Sequence, residues 1–176
     1  LQGKTLGVLG LGKLGGAVAN VGKAFGMRVI AWSQNLTDER AAEIGAERVS
    51  KDELLAQSDY ISIHLVLSDR SRGLIGPGDL ALMKPTAYLV NTSRGPIVDQ
   101  AALIAALRDG QIAGAGIDVY EVEPLPADHP LRSLDNVLLT PHMGYVAHDN
   151  IAHMYSQAAE DIAAFLDGAP IRVLNA

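Results

Sequence analysis

The feature that most constrains this chain lies near its amino terminus. Thr5–Leu9 is a short apolar run, Gly10-Leu11-Gly12-Lys13-Leu14-Gly15 follows it, and apolar residues then recur at helical spacing through 13–25 as far as Gly26. A G-x-G-x-x-G set between a buried strand and a helix answers a steric need. Its glycines permit a tight turn, let the backbone approach a pyrophosphate, and let the helix pack closely on the strand. The helix amino terminus beyond it offers N–H groups that no intrahelical carbonyl satisfies. Gly10, Gly12, Lys13, Leu14 and Gly15 are therefore expected to hold a dinucleotide. A glycine turn that merely packs is the plain alternative, and the strand and helix on either side weigh against it.

Strand and helix patterns go on alternating. A strand at 27–32 precedes a short helix opened by Thr37, with Asp38 and Glu39 in its first turn, where the helix dipole favours negative charge. Ser50-Lys51-Asp52-Glu53 has the spacing of a capping box and opens another helix. Strands at 60–64, 87–91, 113–119 and Val137–Leu139 alternate with helices at 79–83, Gln100–Arg108 (capped by Asp99) and 147–166, the last closed by Gly168 and Pro170. Repeated βα units predict an α/β fold of the Rossmann type, a doubly wound and mostly parallel sheet with helices on both faces. No repeat, low-complexity tract or linker interrupts 1–176, which reads as one domain.

Composition narrows the function. Of the 176 residues, 48% are hydrophobic and 19% charged, which is a globular balance. The net charge of −6, with no basic tract, argues against a nucleic-acid partner. No apolar run reaches the ~20 residues of a membrane span, and no signal peptide is expected before the first strand. The absence of cysteine excludes disulfides, thiolate metal sites and cysteine nucleophiles, and it fits a reducing, cytoplasmic location. Five scattered histidines with no His-Glu-x-x-His spacing leave no metal site to propose.

The second strand bears on which dinucleotide is bound. An acidic residue at its end, about 20 positions past the glycines, ordinarily takes the adenosine ribose hydroxyls. Here the strand ends Ala31-Trp32-Ser33-Gln34-Asn35, without a carboxylate. An aspartate would repel a 2′-phosphate, whereas Ser33, Gln34 and Asn35 can donate hydrogen bonds to one. NADP is favoured over NAD on this ground, although no arginine adjoins in sequence and Arg40 lies on the following helix. Trp32 reads as packing beside the adenine.

Three further segments set polar residues just past strand ends, where ligands bind in open α/β sheets. They are Asn91-Thr92-Ser93-Arg94-Gly95, Asp118-Val119-Tyr120-Glu121-Val122-Glu123-Pro124, and Thr140-Pro141-His142-Met143-Gly144. Arginine, carboxylate and histidine together form the inventory for reducing a 2-keto acid. Arginine grips the carboxylate in a fork, histidine moves the hydroxyl proton, and a neighbouring carboxylate holds the imidazolium.

On these motifs the chain resembles the D-isomer-specific 2-hydroxyacid dehydrogenases. The likeness runs from Gly3 to about Asn175 and includes the Gly-Lys-Thr-Leu-Gly opening, the stretch from Asn91 to Asp99, and Thr140-Pro141-His142. By position it implies Arg94 as the substrate-binding arginine, His142 as general acid/base, and Glu123 as its partner, with Glu121 a nearby decoy. It implies Asp118 at the nicotinamide carboxamide, with Thr92, Ser93, Arg94, His142 and the backbone near Val66 and Gly144 also at the cofactor. Two departures stand out. Tyr145 replaces a glycine common in the family, and the second strand lacks its acid. The family builds its substrate domain mainly from residues preceding the cofactor domain, so a substrate domain is expected to be missing from this chain. The chain is accordingly expected to bind cofactor with little turnover, and to form a homodimer in the full-length protein through 13–25 and 98–110.

Blander readings exist for each residue. Arg94 could serve a turn, His142 could be structural, and Glu121 could replace Glu123. His64 reads as cofactor-pocket lining or packing, His129 as surface, His148 and His153 as partly exposed, and Met143 and Met154 as packing. A nucleotide sensor or a dehydrogenase-like corepressor would share the glycine loop. A pure sensor has no chemical need for the arginine, glutamate and histidine.

Overall fold

The computed structural model describes residues 1–174, so Asn175, where the family likeness ends, lies outside the described residues. Its elements run β1 (Thr5–Leu9), α1 (Lys13–Ala24), β2 (Arg28–Trp32), α2 (Asp38–Ile44), β3 (Glu47–Arg48), α3 (Lys51–Gln57), β4 (Tyr60–Ile63), α4 (Pro77–Leu82), β5 (Tyr88–Asn91), α5 (Gln100–Arg108), β6 (Gly114–Ile117), β7 (Val137–Leu139) and α6 (His148–Leu166). The strands form one sheet in the order β3-β2-β1-β4-β5-β6-β7, and every pairing is parallel. The chain winds outward from β1 through β2 to β3, then returns to lay β4 on the other side of β1. Between β1 and β4 the winding reverses, and a crevice opens there beyond the strands' carboxyl ends.

Alternation along each strand explains the two layers. Leu6 and Val8 of β1, with Val29 and Ala31 of β2, join a buried cluster that includes Ala19 of α1 and Ala41 of α2. Leu9, Ile30, Ile61 and Ile63 point the other way, into a larger cluster with Leu54 and Leu55 of α3, Leu80 of α4 and Leu103 of α5. Each fully buried leucine or isoleucine contributes roughly 1.5–3 kcal/mol. β3, an exposed two-residue edge, is too short to show in periodicity.

Local signals set the boundaries. Ser50 and Glu53 form the reciprocal capping box, Thr37 caps α2 by accepting from Arg40 N, and Asp99 caps α5 by accepting from Ala102 N. α4 starts at Pro77 rather than Asp79, because Pro77 takes the first helical position and Asp79 reaches back to accept from Gly76 N at 3.0 Å. β6 is shorter than 113–119. Its ladder to β5 ends at Asn91 and Ile117, after which Val119 and Tyr120 leave the sheet, still buried.

Contacts divide the chain into two compact units, Leu1–His142 and a second beginning at Met143. The second holds α6, whose described residues include no buried one, and in which Arg172 meets Glu160 and Asp161 at 2.6 Å each. Met143 and Met154, expected to pack, are about half exposed there. No described helix is long and apolar enough to cross a membrane.

Candidate active site

The register lines up one edge of the sheet. Trp32 pairs with Leu9, Leu9 with Ile63, Ile63 with Asn91, Asn91 with Ile117, and Ile117 with Leu139. The next residue in each strand, namely Ser33, Gly10, His64, Thr92, Asp118 and Thr140, therefore opens a loop on a common edge. Segments far apart in sequence meet there because all the strands run the same way.

At the centre of this edge is the glycine turn. Gly10 sits at φ 100°, and a Cβ there would lie 2.7 Å from the His64 carbonyl oxygen, so the β1 and β4 loops touch backbone to backbone. Gly12 caps α1 with no side-chain hydrogen bond, and the first turn carries no acid. The N–H groups there are left for an anion, and the twelve-residue helix adds its dipole. A Cβ on Gly12 would meet nothing within 4 Å, whereas one on Gly15 would strike Gly10 and Val8. Packing requires Gly15, and no packing contact requires a glycine at Gly12.

Two cavities flank the turn and share Leu65 and Val66 in their walls. One, of about 330 Å³, is lined by Trp32, Ser33, Gln34, Asn35, Ser68 and Arg70 among others. The second, of about 490 Å³, is lined by Leu14, His64, Val66, Thr92, Ser93 and Arg94 among others. Leu14 and Val66 are apolar yet largely exposed, as expected of surfaces that a ligand covers. Both volumes fall in the range of small-molecule sites. The phosphate cradle and the two adjoining chambers fit a dinucleotide laid across the switch point.

The β5 loop is braced from within. Asn91, buried, accepts from Ser93 N and donates to Arg94 O, both at 3.0 Å, and Ser93 Oγ donates to Leu65 O on the β4 loop. Arg94 stays exposed, with Nη1 donating to Ser93 O at 2.6 Å. Behind it, a Cβ on Gly95 would stand 2.7 Å from Glu121 N, so the β5 and β6 loops pack without room for a methyl.

His142 Nδ1 lies 2.7 Å from Glu123 Oε2, while Glu123 Oε1 accepts from Tyr120 N at 2.9 Å. The histidine backbone is in the left-handed region at φ 55°, which costs a non-glycine residue of order 1 kcal/mol. His142's hydrogen bond holds the Glu123 carboxyl below the usual glutamate range; partial burial opposes this, and the Tyr120 amide and the Arg94 charge assist. Glu121 does not take that place. A cavity of about 600 Å³ adjoins the pair, lined by Tyr120, Pro124, Leu125, Arg132, Leu139 and Pro141 among others, and the Glu123 to Pro124 bond is cis.

The remaining sequence candidates fall as follows. Asp118 is buried at the end of β6, where Thr140 Oγ1 donates to its Oδ1 at 2.5 Å. Burial lowers the His64 imidazole, which contacts Ser62 Oγ at 2.9 Å and lines the 490 Å³ cavity. Lys13 is exposed at the start of α1. Trp32 is half-buried, packing on the larger core cluster. Gly144 belongs to the second unit, in a turn closed by Val146 N donating to Met143 O. His129 is half-buried rather than at the surface, its Nδ1 accepting from Leu131 N and its Nε2 meeting Gln100. Arg40 points elsewhere, paired with Glu43 at 2.6 Å. Two contributors had no sequence signal: Arg70, which reaches the Ser33 cavity from the β4 loop, and Tyr120, whose hydroxyl donates to Thr140 O at 2.8 Å.

A wholly parallel sheet wound about a glycine-rich turn between β1 and α1 defines the class, a dinucleotide-binding domain of the Rossmann type. The particular family follows: the chain belongs to the D-isomer specific 2-hydroxyacid dehydrogenases, whose NAD binding domain matches residues 1–144. It is 51% identical over 176 residues to a glyoxylate reductase of Aeropyrum pernix, covering 99% of this chain and 52% of that protein. A D-3-phosphoglycerate dehydrogenase of Archaeoglobus fulgidus is 44% identical over 172 residues, covering 98% and 33%. Among solved structures, a putative D-3-phosphoglycerate dehydrogenase oxidoreductase from Ralstonia solanacearum matches with a TM-score of 0.94 at 42% identity, covering 99% of this chain and 51% of that one. An NAD-complexed D-isomer specific 2-hydroxyacid dehydrogenase from Lactobacillus delbrueckii matches at 0.80 and 34% identity, covering 96% and 55%. The chain thus spans about half the length of most of these relatives.

Proposed function

We infer that this chain is the cofactor half of an NAD(P)H-dependent dehydrogenase that interconverts a small 2-keto acid and its 2-hydroxy acid. The observation that carries this reading is the 2.7 Å contact of His142 Nδ1 with Glu123 Oε2, set on the sheet edge that also bears the glycine turn. The nicotinamide, when bound, supplies or accepts the hydride at substrate carbon 2. Arg94 offers the substrate carboxylate a fork of donors beside the cavity that also holds Thr92 and Ser93. His142, with a proton kept on Nδ1 by Glu123, uses Nε2 to donate the hydroxyl proton in reduction and to take it back in oxidation. Glu123 stays ionised and stabilises the imidazolium, and such positioned proton transfer contributes typically ~10²–10⁴-fold in rate.

The names of the relatives support a substrate such as glyoxylate. That no acidic residue among the described residues lines the Ser33 cavity supports NADPH over NADH. In the full-length enzyme, His142→Ala should lower kcat by ~10²-fold or more with NADPH affinity retained, and Arg94→Ala should raise KM sharply. Loss of cofactor binding in His142→Ala, or unchanged kinetics in Arg94→Ala, would refute these roles. The isolated chain should bind cofactor in calorimetric titration but reduce glyoxylate poorly, and brisk turnover by it would overturn the division of labour.

A further inference from the structure

We propose that Arg70, carried on the loop after β4, is the residue that recognises the 2′-phosphate of NADPH, completing with Ser33, Gln34 and Asn35 a phosphate site that no cation on β2 or α2 supplies. The inference rests on the dinucleotide reading of the glycine turn and names what decides between the two cofactors. The loop after β2 brings only neutral donors to the end of its strand. Ser33 is half-buried, and Gln34 and Asn35 line the cavity beside it. The two arginines nearest them in sequence on the carboxyl side are engaged elsewhere, Arg40 with Glu43 at 2.6 Å and Arg48 with Asp38 at 3.2 Å. Arg70 lines the same cavity from the loop after β4 and has no carboxylate partner among the described residues.

The loop bearing Arg70 is held in shape. Ser68 N donates to Ser71 Oγ at 2.8 Å, Ser71 Oγ donates to Val66 O at 2.7 Å, and Arg72 N donates to Ser68 O at 2.9 Å. Ser71 is buried, and Leu65 and Leu74 give the cavity apolar wall on which an adenine can rest. An arginine on so braced a turn loses less freedom on meeting a ligand than one on a loose loop. A guanidinium matches a phosphate through parallel N–H donors, and neutral amides and a hydroxyl complete the shell without repelling the anion. Among the described residues, no carboxylate lines this cavity to oppose a dianion.

The test is a calorimetric titration of the chain and its variants with 2′,5′-ADP and 5′-AMP, repeated with NADPH and NADH. Arg70→Ala should weaken 2′,5′-ADP and NADPH by on the order of tenfold and leave 5′-AMP and NADH within about twofold. Arg40→Ala should move neither pair. The advantage of NADPH in the native chain should shrink as salt rises, because the proposed pair is exposed. Equal weakening of both members of a pair, no change in either, or a native preference for 5′-AMP would overturn the assignment of Arg70 while leaving the dinucleotide site intact. Failure of the native chain to bind any of the four would sink the dinucleotide reading itself, and this proposal with it.

Discussion

Substituting Gly12 and Gly15 in parallel separates what folding demands of the glycine turn from what a ligand demands. Gly12 is at φ −82° with nothing within 4 Å of an added methyl, so Gly12→Ala meets no obstruction. Alanine is the poorer cap, costing a few tenths to about 1 kcal/mol, but it stabilises by about 0.4–1 kcal/mol through the unfolded chain. The two nearly cancel. A Cβ on Gly15 would stand 3.0 Å from the Gly10 carbonyl carbon, 3.1 Å from Val8 Cγ1, and nearer still to the Gly10 carbonyl oxygen. Two of these obstacles are backbone, so the first turn of α1 must lift off β1. Overpacking costs typically 1–3 kcal/mol, and with so little room to yield the upper end applies. In a chain of this size that lowers Tm by roughly 6–12 °C. Thermal melts by circular dichroism and titrations with NADH and NADPH read the two effects separately. Gly12→Ala should melt with the native chain yet bind either dinucleotide at least tenfold more weakly, about 1.4 kcal/mol, because its methyl occupies the approach to the N–H groups. If Gly12→Ala binds like the native chain, or melts as early as Gly15→Ala, the reasoning from open space to ligand fails.

Other outcomes follow from single contacts. Asp59 accepts from Thr5 N at 2.8 Å and lies 3.1 Å from Lys84 Nζ, and the Thr5 hydrogen bond leads in holding its carboxyl below the ordinary range. Its stabilisation is present above the unfolded value near 3.9 and is lost as pH falls through the lower folded value. Asp59→Asn should therefore be about 1–2 kcal/mol less stable at pH 7, and urea melts should show the gap closing toward pH 2.5; a constant gap refutes the linkage. His64, lowered by burial, is held neutral, so acid favours the unfolded chain as pH drops below about 6.5. His64→Gln should lose less stability than the native chain between pH 7 and 5, and parallel losses would count against the burial argument. Tyr120→Phe removes the donor shared by Thr140 O and Ile117 O and should cost about 1 kcal/mol in thermal melts, with Tm unchanged as the contrary result.

Much of the fold was legible because its signals are local. Apolar runs of strand length, the capping residues Thr37, Ser50 and Asp99, and the glycines after β1 act within a few residues of themselves, and the helices appeared where those signals stood. The edge strand β3 escaped notice because two exposed residues carry no period. The polar residues Arg94, Glu123 and His142 that the proposed site uses were each legible as standing just after a strand. The family likeness already names Glu123 rather than Glu121 as the partner of His142, and the fold adds the contact itself. Spacing along an irregular loop has no periodicity to separate the two carboxylates, and in the structure it is Glu123 that accepts from Tyr120 N and meets His142.

The sequence by itself determined that repeated βα units build a parallel sheet with helices on both faces, and which residue types stand at each strand end. What only the tertiary structure decided is adjacency across the switch point. Ser33 and Arg70 share one cavity because β2 and β4 flank β1 and end in register with it, although no signal along the chain links them. Hydrophobic spacing reports which face of a strand is buried, whereas which loops then meet at its end depends on the order of strands in the sheet.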